Sequence, residues 1–130
     1  MDTEKKENGL HAVFVYGTLK HDWMGAKIFG DRNPARTTSP FTMYGGGFPI
    51  LTPDVCGHPV AGELYHVDDR TLERLDTYEG YPDFYERIVT PVIDDTGEHI
   101  AWVYIGNDAM RSIAYREKLS PNEEGFLEWR

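Results

Sequence analysis

The sequence contains a single cysteine, Cys56, among its 130 residues. One thiol excludes an internal disulfide and cannot by itself form a zinc cluster. We therefore expect an inert, partly buried thiol in a protein of a reducing, cytoplasmic compartment. A cysteine nucleophile with His58 as its base is the disfavoured alternative, because a separation of two residues in a turn says little about geometry.

Long apolar runs are also missing. No run approaches the ~20 residues that a membrane-spanning helix requires, so no membrane span is expected. Residues 1–9 are charged and lack the apolar core of a secretory signal. We expect them to form a mobile tail before a single domain over residues 10–130.

Basic residues are scarce, with 13 Lys and Arg against 22 Asp and Glu, a formal charge of −9. This charge repels phosphate backbones and anionic lipid surfaces, so neither nucleic acid nor a membrane is an expected partner. The five histidines do not show the spacing of a metal-binding motif, so no metal site is predicted.

What is present is a strand-rich pattern with one clear helix. A hydrophobic content of 40% and an aromatic content of 13% predict one globular core. Residues 11–16 are apolar on both faces, which is typical of a strand buried on both sides. Further strands are predicted over 37–44, 60–67, 84–93 and 99–105, with a hairpin turn at 94–98 and weaker helices at 25–29 and 110–118. This pattern predicts an α+β fold in which a small, mixed, barrel-like sheet carries flanking helices.

The clear helix has recognisable ends. Asp68 is a good N-cap, and Val67 and Leu72 have the spacing of a hydrophobic staple. Leu75 continues the apolar stripe, and Gly80 is a natural C-terminal stop.

Glu79 continues the stripe of this helix, because steps of seven from Leu72 and four from Leu75 both reach it. Burial and the negative end of the helix dipole would both raise the pKa of this carboxyl. A carboxyl with a raised pKa suits general acid–base catalysis at neutral pH. In the alternative interpretation, Glu79 pairs with Arg87 or is exposed at a fraying helix end.

The turn Tyr16-Gly17-Thr18-Leu19 follows the first buried strand. Gly17 permits close approach, and successive free backbone amides can bind an anion such as a carboxylate. The spacing of a nucleotide-binding P-loop is missing. An ordinary tight turn is the alternative.

Five segments, taken in order, resemble motifs of the γ-glutamylcyclotransferase-like superfamily: Val-Tyr-Gly-Thr-Leu-Lys at 15–20, Gly-Glu-Leu-Tyr at 62–65, Leu-Asp-Thr-Tyr-Glu-Gly-Tyr-Pro at 75–82, Tyr-Glu-Arg at 85–87 and Ala-Trp-Val-Tyr at 101–104. Thr18 and the short chain are most similar to the γ-glutamylamine cyclotransferase, or avirulence-induced-gene-like, branch. The resemblance implies a small barrel-like sheet with external helices. It also implies that Glu79 is the catalytic acid–base group and that backbone amides of the 16–19 turn hold the glutamyl end of the substrate.

The implied substrate is a γ-glutamyl amine or a small γ-glutamyl peptide, which cyclises to 5-oxoproline and releases the free amine without metal or cofactor. Tyr85 and Tyr104 are candidate orienting hydroxyls, with packing within the sheet as their alternative role. Glu63 could face the pocket or point outward.

Two other functions stay open: a non-catalytic protein that binds a small ligand in the same pocket, and another acyl transfer or hydrolysis of a γ-glutamyl group. Residues 21–36 and 45–53 are expected to shape the leaving-group side of the pocket. The sequence leaves open the leaving group and whether the protein is a monomer or a dimer.

Overall fold

A computed structural model describes residues 6–7, 9–17, 33–45, 49–81, 83, 85–106 and 117–129 of the chain. Its elements are β1 (Lys6–Glu7), β2 (Leu10–Val15), β3 (Pro34–Thr37), β4 (Phe41–Gly45), β5 (Ile50–Pro53), β6 (Ala61–Val67), α1 (Asp69–Glu79), β7 (Tyr85–Asp94), β8 (Gly97–Gly106) and β9 (Glu117–Lys118).

Six of these strands form one sheet in the order β1-β2-β6-β3-β7-β8. Strand β2 also pairs in parallel with β8, and this pairing closes the sheet into a small barrel. The other three strands form a second sheet in the order β5-β4-β9. The predicted α+β fold with a barrel-like mixed sheet is confirmed.

Strand β2 is buried on both sides, as its sequence indicates. Successive side chains of a strand point to opposite faces. Phe14 therefore packs in the barrel interior, with Leu64 and Val103. Val13 and Val15 lie on the other face, in a cluster with Leu72 and Leu75 of α1. The helix thus covers the outside of the barrel next to the end of β2.

The predicted strand over 37–44 is wrong in its extent, because two strands, β3 and β4, occupy this region. Thr37 bends the chain between them, since its hydroxyl donates to the carbonyl of Ser39 at 2.9 Å. Pro40 follows and has no N–H group to continue a ladder. Each half then pairs in a different sheet, β3 with β6 and β7, and β4 with β5 and β9.

The predicted helix over 110–118 is wrong at its end, because Glu117–Lys118 form β9 and pair with Tyr44 and Gly45. Their local pattern favours a helix, but pairing with β4 gives these two residues a strand conformation. Its remaining residues and the predicted helix at 25–29 lie outside the described residues. Within the first nine residues, Lys6–Glu7 pair with β2. The limits of the tail and the domain stay a prediction.

The hairpin turn between β7 and β8 is confirmed. The carboxylate of Asp94 accepts hydrogen bonds from the backbone N–H and the hydroxyl of Thr96, at 2.9 and 2.7 Å. Gly97 has a φ of 126°, a conformation that glycine adopts readily. In the part of the chain that the structure describes, no helix combines the length and the apolar character that crossing a membrane requires.

Candidate active site

The helix α1 has the ends that its sequence predicts. The carboxylate of Asp68 accepts a hydrogen bond from the backbone N–H of Thr71 at 2.8 Å. Gly80 caps the other end in the left-handed conformation, with a φ of 70°. The backbone N–H of Tyr81 donates to the carbonyl of Asp76 at 2.9 Å, which completes a Schellman-type cap. Glu79 is therefore the last helical residue before the chain turns.

The Glu79 side chain is half-buried. Burial raises the pKa of its carboxyl from an ordinary 4.5 to about 7. No ion pair joins it to any residue for which the structure describes a side chain. At neutral pH both protonation states of this carboxyl are therefore populated, which is what a group that accepts and returns a proton needs.

The alternative pairing of Glu79 with Arg87 is wrong, because Arg87 binds Asp76 instead. Its Nε donates to Oδ1 of Asp76 at 2.7 Å, and its Nη2 donates to Oδ2 at 2.9 Å. Burial opposes the charge on Asp76, but the hydrogen bonds from Arg87 and Tyr104 hold the pKa of that carboxyl below its ordinary value. Arg87 is therefore committed to a carboxylate other than Glu79.

Tyr104 joins two parts of the site. Its hydroxyl donates to Oδ1 of Asp76 at 2.6 Å, and its backbone carbonyl accepts a hydrogen bond from the Tyr16 hydroxyl, also at 2.6 Å. Burial and the hydrogen bond with Asp76 raise the pKa of the Tyr104 phenol, so the ring is neutral at physiological pH. The end of β2 and the last turn of α1 are thus both attached to β8.

Tyr85 joins a third part of the site. Its hydroxyl donates to the backbone carbonyl of Pro49 at 2.8 Å. The Pro49 ring also lies against Gly17, where a Cβ atom would come within 2.9 Å of the proline Cγ. The start of β7, the residue before β5 and the turn after β2 therefore meet at Pro49. Thr18 and Leu19 of the predicted turn lie outside the described residues.

The charge of Glu79 acts on each of these three tyrosines. Burial is the main cause of the raised phenol pKa in Tyr16, Tyr85 and Tyr104, and the negative charge of Glu79 adds to each. The structure thus brings four of the predicted site residues close together: Glu79, Tyr16, Tyr85 and Tyr104. They lie where β7, β8, the end of α1 and the residue after β2 meet.

Glu63 and Cys56 are the two other candidate residues that the sequence raised. Glu63 is buried in β6, opposite Val15, and accepts a hydrogen bond from the Tyr65 hydroxyl at 2.8 Å. Cys56, expected to be partly buried, is exposed, because it lies in the turn after β5, where its backbone N–H donates to Asp54. Among the residues that the structure describes, no group of three or more His, Cys, Asp or Glu could hold a metal ion.

A family model described as gamma-glutamyl cyclotransferase, AIG2-like, matches residues 13–126. The chain belongs to this family. The gamma-glutamylaminecyclotransferase of Bos taurus is 36% identical over 97 residues, which cover 65% of this chain and 58% of the bovine protein. The gamma-L-glutamyl-butirosin B gamma-glutamyl cyclotransferase of Niallia circulans is 32% identical over 106 residues, covering 73% and 66% respectively. The chain therefore spans two thirds or less of the length of these two relatives.

The fold comparison agrees with this membership in the gamma-glutamyl cyclotransferase family. The crystal structure of an aig2-like protein from Mus musculus superposes with a TM-score of 0.67 at 26% identity, covering 95% of this chain and 97% of the mouse chain. The family, the fold and the enzyme class expected from the sequence are confirmed.

Two residues that hold the parts of this candidate site together were not singled out from the sequence: Asp76 and Pro49. Asp76 precedes Glu79 by about one helical turn, so a second carboxylate near the buried stripe was a usable signal. Pro49 acts through its backbone carbonyl and its ring. Because every residue has a backbone carbonyl, the sequence does not indicate which one accepts a hydrogen bond.

Proposed function

We propose that the protein is a γ-glutamyl cyclotransferase that converts a γ-glutamyl amine or a small γ-glutamyl peptide into 5-oxoproline and the free amine. One observation carries the proposal: the half-buried carboxyl of Glu79, with a pKa of about 7, has no ionic partner among the described side chains. A carboxyl in this state can accept a proton and donate one within a single turnover.

The proposed reaction is intramolecular. The Glu79 carboxylate takes a proton from the α-ammonium group of the substrate. The freed α-amine attacks the γ-carbonyl carbon, and a new C–N bond closes a five-membered ring. The bond between the γ-carbonyl carbon and the departing nitrogen then breaks, and that nitrogen receives the proton from Glu79. The ring nitrogen gives up its second proton through the same carboxylate to the departing amine, which leaves as an ammonium ion while the lactam keeps one N–H. Because the nucleophile is tethered to its target, the enzyme has mainly to hold a reactive conformation and move protons.

Substrate orientation is assigned to the turn after β2 and to two tyrosines. In the proposal, backbone amides of the turn Tyr16-Gly17-Thr18-Leu19 bind the glutamyl end of the substrate. Tyr85 and Tyr104 donate their hydroxyl protons to Pro49 and Asp76, so each phenolic oxygen keeps acceptor capacity for the substrate ammonium.

Substrate class and location complete the proposal. The bovine relative is named for γ-glutamylamines and the bacterial one for γ-L-glutamyl-butirosin B. Both names describe a substrate that carries a γ-glutamyl group. This supports a small-molecule γ-glutamyl substrate. A cytoplasmic location is supported by Cys56, a free and exposed thiol that a reducing compartment would preserve.

The test is a panel of γ-glutamyl amines and γ-glutamyl dipeptides, with 5-oxoproline detected by mass spectrometry. We expect Glu79→Gln to fold and to lower kcat by at least ~100-fold, since positioned acid–base catalysis contributes about that much. The matched control is Glu73→Gln, which removes an exposed carboxylate from the same helix. Full turnover by Glu79→Gln would refute the assignment, and ligand binding without 5-oxoproline would favour the non-catalytic binder.

A further inference from the structure

Asp76 lies about one turn before Glu79 on α1, and its carboxylate accepts three hydrogen bonds from the β7–β8 hairpin. Two come from Arg87 in a bidentate pair, at 2.7 and 2.9 Å, and the third comes from Tyr104, at 2.6 Å. Arg87 and Tyr104 are directly opposite each other in the hairpin. The carboxylate is thus held from two adjacent strands at once.

The Arg87 guanidinium also packs against two aromatic rings. It lies 4.7 Å from the centre of the Tyr81 ring and 4.4 Å from the centre of the Trp102 ring. The side chains of Arg87 and Asp76 are only 16% and 19% exposed, so solvent screens this pair weakly. A planar guanidinium held by two rings and a bidentate carboxylate has little freedom to reorient.

The hydrogen bonds of Asp76 also affect which charges lie near the Glu79 carboxyl. Among the described residues, the phenols whose pKa is raised by the charge of Glu79 are Tyr16 after β2, Tyr85 of β7 and Tyr104 of β8, and all three are neutral at pH 7. Arg87 of β7 pairs with Asp76, which lies about one helical turn from Glu79, so the charge of Arg87 is offset by that carboxylate. An unpaired cation close to Glu79 would favour the carboxylate and make it a weaker proton acceptor.

We propose that Asp76 is a positioning residue for the cyclisation: with Arg87 and Tyr104 it holds the last turn of α1 against the β7–β8 hairpin, and by pairing with Arg87 it keeps that positive charge from Glu79. This proposal rests on the proposed function, because Glu79 is the group that is positioned. Asp76 touches neither substrate nor the reacting atoms in this scheme. It acts through the placement and the charge environment of Glu79.

The first experiment uses Asp76→Asn, which preserves the side-chain shape and removes the charge. We expect kcat to fall by ~10- to 100-fold with little change in KM, because a small misplacement of a catalytic group has an effect of this size. We also expect the midpoint of the Glu79 titration, followed by NMR of ¹³C-labelled glutamate carboxyls, to fall by about one pH unit as Arg87 loses its partner. Glu73→Gln, an exposed charge removal on the same helix, should change neither quantity.

Two further variants separate charge from position. Asp76→Asn combined with Arg87→Met removes the freed cation, so the Glu79 midpoint should return towards 7 while kcat stays low. Tyr104→Phe removes one hydrogen bond and leaves the ion pair, so it should lower kcat without moving the midpoint. Because the proposed function also gives the Tyr104 hydroxyl a contact with substrate, the unmoved midpoint is the part of this result that supports the role of the Asp76–Arg87 pair. Tyr104→Phe also keeps the proposal testable if Asp76→Asn fails to fold, since wild-type kcat in Tyr104→Phe would then overturn it.

The outcomes distinguish this proposal from the proposed function. If the wild-type protein forms no 5-oxoproline from the panel while Asp76→Asn still lowers the Glu79 midpoint, the proposed reaction fails and the effect of Asp76 on Glu79 stands. If the wild-type protein turns over and folded Asp76→Asn keeps both its kcat and its midpoint, the positioning role is refuted.

Discussion

The hydroxyl of Tyr16 donates a 2.6 Å hydrogen bond to the backbone carbonyl of Tyr104. Because the Tyr104 hydroxyl in turn donates to Asp76, one residue of β8 connects the end of β2 to the last turn of α1. The candidate site around Glu79 is therefore assembled from elements distant in sequence, and its parts can be tested separately.

Glu79 should make the protein less stable as the pH rises. The folded protein keeps the Glu79 proton up to a pKa of about 7, whereas the unfolded chain releases it near 4.5. The stability that the protonated form contributes is thus fully present below pH 4.5 and is lost as the pH rises to about 7. We expect Glu79→Gln to become more stable than the wild type between pH 5 and pH 8, by on the order of 2 kcal/mol. Urea unfolding of both proteins at the two pH values measures this difference, and identical pH dependence would contradict it.

Gly80 should be sensitive to replacement because it ends α1 with a φ of 70°. We expect Gly80→Ala to lower the free energy of unfolding by ~1–2 kcal/mol, since a Cβ atom is strained in the left-handed region. Gly80→Asn should have a smaller effect, because asparagine tolerates this conformation better. Both variants should also lower kcat, because Glu79 is the adjacent residue. Denaturant unfolding and steady-state assays give the two measurements, and equal stabilities of the two variants would argue against the strain.

Gly62 should not accept a side chain. A Cβ atom at this position would lie 2.3 Å from the carbonyl oxygen of Val15 and 2.7 Å from Cζ of Phe14. The oxygen belongs to the β2–β6 ladder and cannot move without breaking it, so we expect Gly62→Ala to lose ~3 kcal/mol or more. Gly9→Ala is the control, because its φ is 80° but no atom lies within 4 Å of the added Cβ. Thermal unfolding should place Gly62→Ala well below Gly9→Ala, and the reverse order would exclude the clash.

Tyr85→Phe should affect both stability and turnover. The backbone carbonyl of buried Pro49 would lose its donor, at a cost of ~1–3 kcal/mol. In the proposed reaction, kcat/KM should also fall by about tenfold, the loss expected for one hydrogen bond near 1.4 kcal/mol. Tyr81→Phe is the matched control, because it keeps an aromatic ring over Arg87. If Tyr85→Phe matched this control in urea unfolding and in kcat/KM, the role of the hydroxyl would be excluded.

The local features of the fold could be predicted from the sequence. The Asp68 cap, the Leu72 and Leu75 stripe and the Gly80 stop all act within a few residues of one another, so the pattern locates α1 and directs Glu79 towards the barrel. The turn between β7 and β8 is equally local, since Asp94 binds Thr96 two positions away.

The features that depend on distant partners could not be predicted. The sequence offers Arg87 two carboxylates in the last turn of α1, Asp76 and Glu79. Which of them it binds depends on how α1 lies over the hairpin. Tyr104 binds the same carboxylate from 28 positions away. The division of 37–44 into β3 and β4 likewise depends on which sheet each half joins.

The pairing of Arg87 with Tyr104 belongs to a ladder that runs down to Asp94 and Gly97. A shift of one residue along that ladder would send either side chain to the opposite face. A hairpin paired one residue out of register would therefore deprive Asp76 of at least one of its hydrogen-bond donors, and in the proposed scheme it would turn over slowly. Recovery of full turnover after refolding would therefore report the fraction of molecules whose β7–β8 hairpin has its native register.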